Sequence, residues 1–195
     1  MKRCIDVAVS LTVLLLLCPV MGAIAFAVWL ESGAPVFFRQ RRVGLRFQPF
    51  EILKFRTMRV RSGGPSVTVA GDDRVTRVGG FLRITKLDEL PQFWNVLRGE
   101  MSLVGPRPEV PLYVELFRER YSSILTVRPG ITDLASIEFR NEEQVLAQSS
   151  DPLREYQERV LPMKLALAEE YVRTHCLLLD ASILLRTVAA IVSSR

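Results

Sequence analysis

Cysteine and histidine are scarce in this chain. Cys4, Cys18 and Cys176 make an odd count with no disulfide or metal-ligand spacing, which excludes a disulfide framework and points to a reducing, cytoplasmic environment. His175 is the sole histidine, and its place between a soluble-type helix and an apolar one reads as interfacial, not catalytic. Internal repeats and low-complexity tracts are missing. Aromatics are few, at 8% of residues, and do not interleave with basic residues as they do in nucleic-acid binders, so no nucleic-acid partner is expected. A length of 195 residues leaves room for one domain and an anchor, but not for a second catalytic domain.

Charge is missing altogether from Val7 to Leu30. As helix this run measures about 36 Å, more than the roughly 30 Å of a bilayer's hydrocarbon core. Pro19 interrupts it, removing one backbone hydrogen bond and freeing the carbonyl of Leu15. The two halves are about 18 and 16 Å long, and each reaches through one leaflet only. Lys2 and Arg3 precede the run, and Arg39, Arg41, Arg42 and Arg46 follow it. Cytoplasmic flanks are the ones enriched in Lys and Arg, so a single crossing leaves one basic cluster on the wrong side. The expectation is a re-entrant helix-break-helix anchor over residues 1–30, with a kinked single crossing as the alternative. A cleavable signal peptide is disfavoured, because the run continues past Ala23–Ala27 to Trp29 and Leu30.

Residues 31–195 read as the catalytic domain, of α+β class and mainly helical, with amphipathic helices at the membrane surface. Short apolar runs between Pro35 and Met58, punctuated by Gly44 and Pro49, predict strands or a hairpin. Ser62–Ser66 reads as a loop. Asp88 is placed to cap a helix over Glu89–Arg98, which Gly99 ends. Amphipathic spacing predicts helices over Val110–Tyr121 and Asp151–Arg173, the second interrupted at Pro162. Cys176–Val192 is apolar but holds Asp180 and Arg186, which predicts a helix lying along the membrane, packed on the anchor or simply buried. Asp72 and Asp73 read as a capped turn.

The chain carries a net charge of +5, and residues 31–87 hold twelve Lys or Arg against four Asp or Glu. Such a stretch attracts anions, whether lipid head groups or nucleotide phosphates. Within reach of it in sequence lies the carboxylate pair Asp88 and Glu89. Phosphoryl transfer asks for an in-line nucleophile, a metal, and cations that hold the phosphates as charge moves. An aspartate can attack phosphorus, and a free carboxylate oxygen suits Mg²⁺. Lys54, Arg83 and Arg107 are the candidate cations. Arg107 stands between Pro106 and Pro108, where a stiff loop holds a guanidinium for bidentate phosphate contact.

Five segments in order, Lys54–Met58, Asp73–Gly79, Leu87–Gln92, Ser102–Glu109 and Arg128–Thr132, resemble the motifs of the bacterial sugar transferases, the small monotopic phosphoglycosyl transferases. That resemblance implies transfer of a sugar 1-phosphate from a nucleotide diphosphate sugar, usually a UDP-sugar, to polyprenol phosphate. It implies Asp88 as nucleophile and Mg²⁺ ligand, and Glu89 as the residue that positions or deprotonates the acceptor. Lys54, Arg83, Arg107, Pro108 and Arg128 fall on its substrate-binding positions, Arg128 weakly. The implied setting is the cytoplasmic face of a bacterial inner membrane, with membrane lipid as a partner and a homodimer left open. One departure stands out: Asp133-Leu134-Ala135-Ser136 replaces a Gly-Trp-Ala-Gln pattern found in many members, so contacts assigned there are not carried over. A non-enzymatic surface module binding anionic lipid or nucleic acid is the rival reading.

Overall fold

The computed structural model describes residues 1–59 and 69–193, so the loop read at Ser62–Ser66 lies outside the described residues. Helix α1 spans Lys2–Ser32 and is carried through Pro19 as one element, where the sequence reading placed a break between two halves. Loss of one rung at a proline kinks a helix without having to end it. Gly33, at φ 73, ends it, because that left-handed backbone is open to glycine at no steric cost. Burial along α1 is confined to its two ends, at Asp6 and Ser10 and again at Ile24 and Val28. Leu11, Leu15, Leu16 and Val20 between them are exposed. Among the described residues α1 is the one helix long and apolar enough to cross a membrane.

Both ends of α1 are tied to the folded body. At the start, Arg3 donates to the carbonyls of Val96 (2.7 Å) and Leu97 (3.0 Å), and Asp6 accepts from the Ser102 hydroxyl and the Leu103 N–H. Lys2 meets Asp180 at 2.5 Å. At the other end Ile24 and Val28 pack with Phe55 and Leu82. Glu31 takes the N–H groups of Arg77 and Val78, capping the next helix through space with a carboxylate at its positive end.

The predicted hairpin is present: β1 (Phe37–Val43) pairs antiparallel with β2 (Pro49–Phe55), Phe37 opposite Phe55 and Val43 opposite Pro49. Proline suits the first residue of a strand, where no ladder N–H is needed. The turn at 72–74 is as expected, with Asp72 accepting from the Arg74 N–H and guanidinium. Helix α2 (Arg77–Thr85), which the sequence reading missed, is capped by the Thr76 hydroxyl. Helix α3 is Gln92–Arg98, closed by Gly99 at φ 84 as expected.

Strand β3 (Ser102–Val104) pairs in parallel with β4 (Gly130–Thr132). Just beyond, the two backbones nearly touch: a Cβ at Gly105 would lie 2.4 Å from the Arg128 carbonyl oxygen, and one at Gly130 would lie 2.1 Å from the Gly105 nitrogen. Only glycine fits at either place. Between these strands lie α4 (Pro111–Leu116) and α5 (Arg118–Ile124), splitting one predicted amphipathic helix at Phe117. After β4 come two unpredicted short helices, α6 (Leu134–Glu138) and α7 (Glu142–Ala147), then α8 (Pro152–Glu155), a π turn at Tyr156–Val160 and α9 (Leu161–Thr174). Pro162 stands in the first turn of α9, directly after the π turn, where the helix changes its hydrogen-bonding step. The largest core joins Tyr113, Tyr121, Leu146, Tyr156, Leu161 and Leu165 from these helices. The last helix, α10 (Leu177–Val192), runs as expected and packs on the body through Ile183 and Asp180, leaving Leu178, Leu185 and Val188 exposed.

Candidate active site

Asp88 and Glu89 lie in a tight 3-10 turn, Leu87–Glu89, entered through Lys86 in the left-handed region at φ 58. The structure corrects the capping role read for Asp88: α3 begins only at Gln92, behind Pro91, and has no side-chain cap. The extra turn draws both acids inward, to 7% and 9% exposure.

Glu89 gathers cations from three parts of the chain. Its Oε1 accepts from Lys54 Nζ in β2 at 2.6 Å and from Arg107 Nη2 in the loop after β3 at 3.0 Å. Burial works against the charge of Glu89, but Lys54 and Arg107 outweigh it and hold the carboxyl well below the usual glutamate range. In return Glu89 holds Arg107 even more firmly protonated. Lys54 goes the other way, pushed down from the usual lysine value by burial, with Arg107 adding to the effect.

Asp88 has the opposite surroundings. Its Oδ1 is buried with no hydrogen-bond partner. Burial, reinforced by the charge of Glu89, raises its carboxyl above the usual aspartate value against the pull of Lys54, Lys86 and Arg83. Two adjacent carboxylates are thus driven apart: Glu89 is a clamped anion, and Asp88 an undersolvated group with an open oxygen. Six buried side-chain polar atoms are unpaired among the described residues, and Asp88 Oδ1 is the one carboxylate oxygen of the six, an acceptor open to a ligand.

The stiff loop carrying Arg107 is itself anchored. The Arg107 N–H donates to Asp133 Oδ2 at 3.1 Å, and Asp133 Oδ1 caps α6 through the Ser136 N–H. The Pro108 carbonyl accepts from Arg42, which also pairs with Glu109 at 2.8 Å. Pro108 therefore braces the loop from behind. Asp133 was not among the residues picked from sequence, though an aspartate standing just before Leu134-Ala135 is a legible helix N-cap.

Two expected phosphate cations are not joined to the cluster. Arg83 pairs with Glu143 of α7 and reaches Asp88 through its field alone. Arg128 donates from Nε to the Gly99 carbonyl at 2.9 Å and lines a separate cavity with Lys2 and Arg3. His175 is exposed, its Nδ1 against the Val172 carbonyl, as a surface histidine would be. Among the described residues no group of three or more His, Cys, Asp or Glu is arranged for a metal ion.

A family model described as bacterial sugar transferase matches residues 1–194. The chain is 42% identical over 199 residues to a UDP-glucose:undecaprenyl-phosphate glucose-1-phosphate transferase of Caulobacter vibrioides, which covers 99% of this chain and 70% of that protein. It is 42% identical over 194 residues to the protein of the same name from Escherichia coli, covering 96% of this chain and 39% of the relative. A UDP-N-acetylgalactosamine-undecaprenyl-phosphate N-acetylgalactosaminephosphotransferase of Aeromonas hydrophila is 37% identical over 197 residues, 98% of this chain and 44% of the relative. The chain thus spans less than half the length of the second and third of these.

Proposed function

Because the chain belongs to the bacterial sugar transferase family, we propose that it moves a sugar 1-phosphate from a UDP-sugar to polyprenol phosphate through a covalent intermediate on Asp88. The observation that carries this reading is the buried, unpartnered Oδ1 of Asp88 beside a Glu89 already spent on Lys54 and Arg107. The names of the relatives, all of them UDP-sugar or undecaprenyl-phosphate transferases, support the substrate class and tell against a non-enzymatic lipid-binding module.

In the first step a carboxylate oxygen of Asp88 bonds to the β-phosphorus, and the bond to the UMP oxygen breaks, the electron pair leaving with UMP. In the second, a phosphate oxygen of polyprenol phosphate attacks the same phosphorus and the aspartyl oxygen departs as carboxylate. Poor solvation keeps the Asp88 carboxylate reactive, since little hydration has to be stripped before attack. Lys54 and Arg107, held by Glu89, bind the diphosphate oxygens as charge shifts toward UMP. Glu89 acts by positioning these two cations, because a carboxyl held so far below its usual range is a weak base. Mg²⁺ suits the remaining donor: one open carboxylate oxygen at Asp88 fits an ion that takes one or two carboxylates and completes its shell with substrate phosphate and water. When bound it supplies neutralisation of the diphosphate.

A panel of UDP-sugars with undecaprenyl phosphate tests the proposal. UMP release is expected with one or a few of them, identifying the sugar, and no release with any member would end the transferase reading.

For the membrane segment we propose entry and exit at the same, cytoplasmic, face. What supports this is that Lys2, Arg3 and Asp6 at one end of α1 and Ile24, Val28 and Glu31 at the other all contact one folded body, while the exposed apolar middle does not. Cysteines introduced at residues 2 and 40 in a chain with its own three replaced are expected to label equally from the cytoplasmic side. Labelling of position 2 from the periplasmic side alone would establish a crossing.

A further inference from the structure

Arg46 is a bulky residue held in the left-handed backbone region, at φ 52 and ψ 40. Glycine would take this conformation freely, and arginine pays a strain for it. The distortion is fixed by the Arg46 N–H, which donates to the Leu125 carbonyl at 2.8 Å. Its guanidinium finds no hydrogen bond or ion pair among the described residues, and Arg46, exposed to solvent as Arg128 is, lines an open cavity of about 430 Å³. Lys2, Arg3 and Arg128 line the same space, which shares no residue with the Asp88 cluster.

The other polar groups around this cavity are mostly committed. Asp6 is used by Ser102 and the Leu103 N–H, and the Thr126 hydroxyl by the Ser123 carbonyl. Lys2 is neutralised by Asp180. Arg3 and Arg128 spend their recorded bonds on the carbonyls of Val96, Leu97 and Gly99 at the end of α3, which leaves their charge unmatched by any acid. Counting Asp6 and Asp180 against the four cations, the site keeps an excess of two positive charges. Arg46 brings a whole unused fork of donors, and Arg128 keeps N–H groups free on its terminal nitrogens. Guanidinium forks match phosphate oxygens two at a time. The volume lies within the roughly 300–1,000 Å³ of small-molecule pockets and exceeds what a bare ion needs.

We infer that this cavity is a second anion site, built by Arg46 and Arg128 with Arg3 to hold a phosphate group apart from the one handled at Asp88. Two sources offer that chemistry. One is a lipid: Lys2 and Arg3 lie four to five residues before the apolar run, and on the membrane placement proposed above they come level with the phosphodiester head groups of anionic lipids; soluble phosphate is the other source.

The test uses the full chain in neutral detergent micelles, with short-chain phosphatidylglycerol and inorganic phosphate as separate probes in native mass spectrometry and calorimetry. A saturable one-to-one component is expected with phosphatidylglycerol, weakened about tenfold or more by Arg46→Gln, as loss of a charge-assisted pair implies. Arg128→Gln is expected to weaken it as well. Arg128 also holds the Gly99 carbonyl, whereas Arg46→Gln removes no contact within the protein and reports on the ligand alone. UMP release by Arg46→Gln should stay near that of the parent. Phosphate held at the Asp88 centre would survive both substitutions, so only the component they remove is counted. If that component appears with inorganic phosphate and not with the lipid, the site stands and its source is soluble. Binding that neither substitution alters, or no saturable binding of either probe, overturns the inference.

Discussion

Asp88→Asn is expected to lower UMP release by at least about 10⁴-fold, since it removes the nucleophile and leaves the rest of the site in place. Asparagine is nearly isosteric with aspartate, and Asp88 Oδ1 has no hydrogen-bond partner whose loss could unfold the turn. Stability should move the other way. A carboxyl whose folded-state pKa lies above its unfolded value destabilises the fold at every pH where it is ionised, and the penalty is absent only below the unfolded pKa. Removing that carboxyl relieves the penalty at neutral pH, so the variant should melt at or above the temperature of the parent. Intact-protein mass spectrometry after exposure to the correct UDP-sugar, with no acceptor lipid, should find a sugar-phosphate adduct on the parent and none on Asp88→Asn. Substantial turnover by the variant, or an adduct on another residue, would refute attack by Asp88.

The second large effect belongs to Glu89→Gln, which should damage both activity and fold. Glu89 is the anion between Lys54 and Arg107, and without its charge two neighbouring cations face each other in a poorly solvated site. Breaking a buried ion pair costs about 3–5 kcal/mol, and the loss here should be roughly 2 kcal/mol, because glutamine keeps an acceptor oxygen and Arg107 reaches solvent. For a chain of this size that is a fall of about 4–8 °C in melting temperature. Turnover should fall by about 10²–10⁴-fold, as Lys54 and Arg107 lose their alignment on the diphosphate. The pH dependence of stability gives a further check. A carboxyl with a depressed folded-state pKa contributes stability that is complete above its unfolded value and lost as pH falls toward the folded one. The gap in melting temperature between parent and Glu89→Gln should therefore be constant near neutrality and narrow only in acid below the usual glutamate range. A variant with unchanged melting temperature would mean that Glu89 does not carry these two cations.

Taken together, the two substitutions separate roles that a sequence motif joins. Asp88 and Glu89 are adjacent carboxylates, yet substitution of the first is expected to lose activity without loss of stability, and substitution of the second to lose both. The difference follows from what surrounds each oxygen, not from the residue type.

Local features were legible from the chain alone because their causes are local. An uncharged run long enough for a bilayer, a Gly44–Pro49 turn between apolar runs, a Gly99 stop and a change of helix beside Pro162 each follow from propensity within a few residues, and each is found. The five motifs, read in order, also identified the family. What the chain could not disclose was who faces whom. Lys54, Glu89 and Arg107 are 35 and 18 residues apart along the chain and meet on a single oxygen. Arg83 and Arg128 carry the same charge as Arg107 but are taken by Glu143 and the Gly99 carbonyl instead. Asp88 lost its expected capping role to a 3-10 turn, and Asp6, just outside the apolar run, proved to be buried against β3. Periodicity and capping chemistry act over one or two turns of chain. The partner of a buried charge is set by the parallel β3–β4 pairing and by the close approach of Gly105 and Gly130, which only the folded backbone brings about.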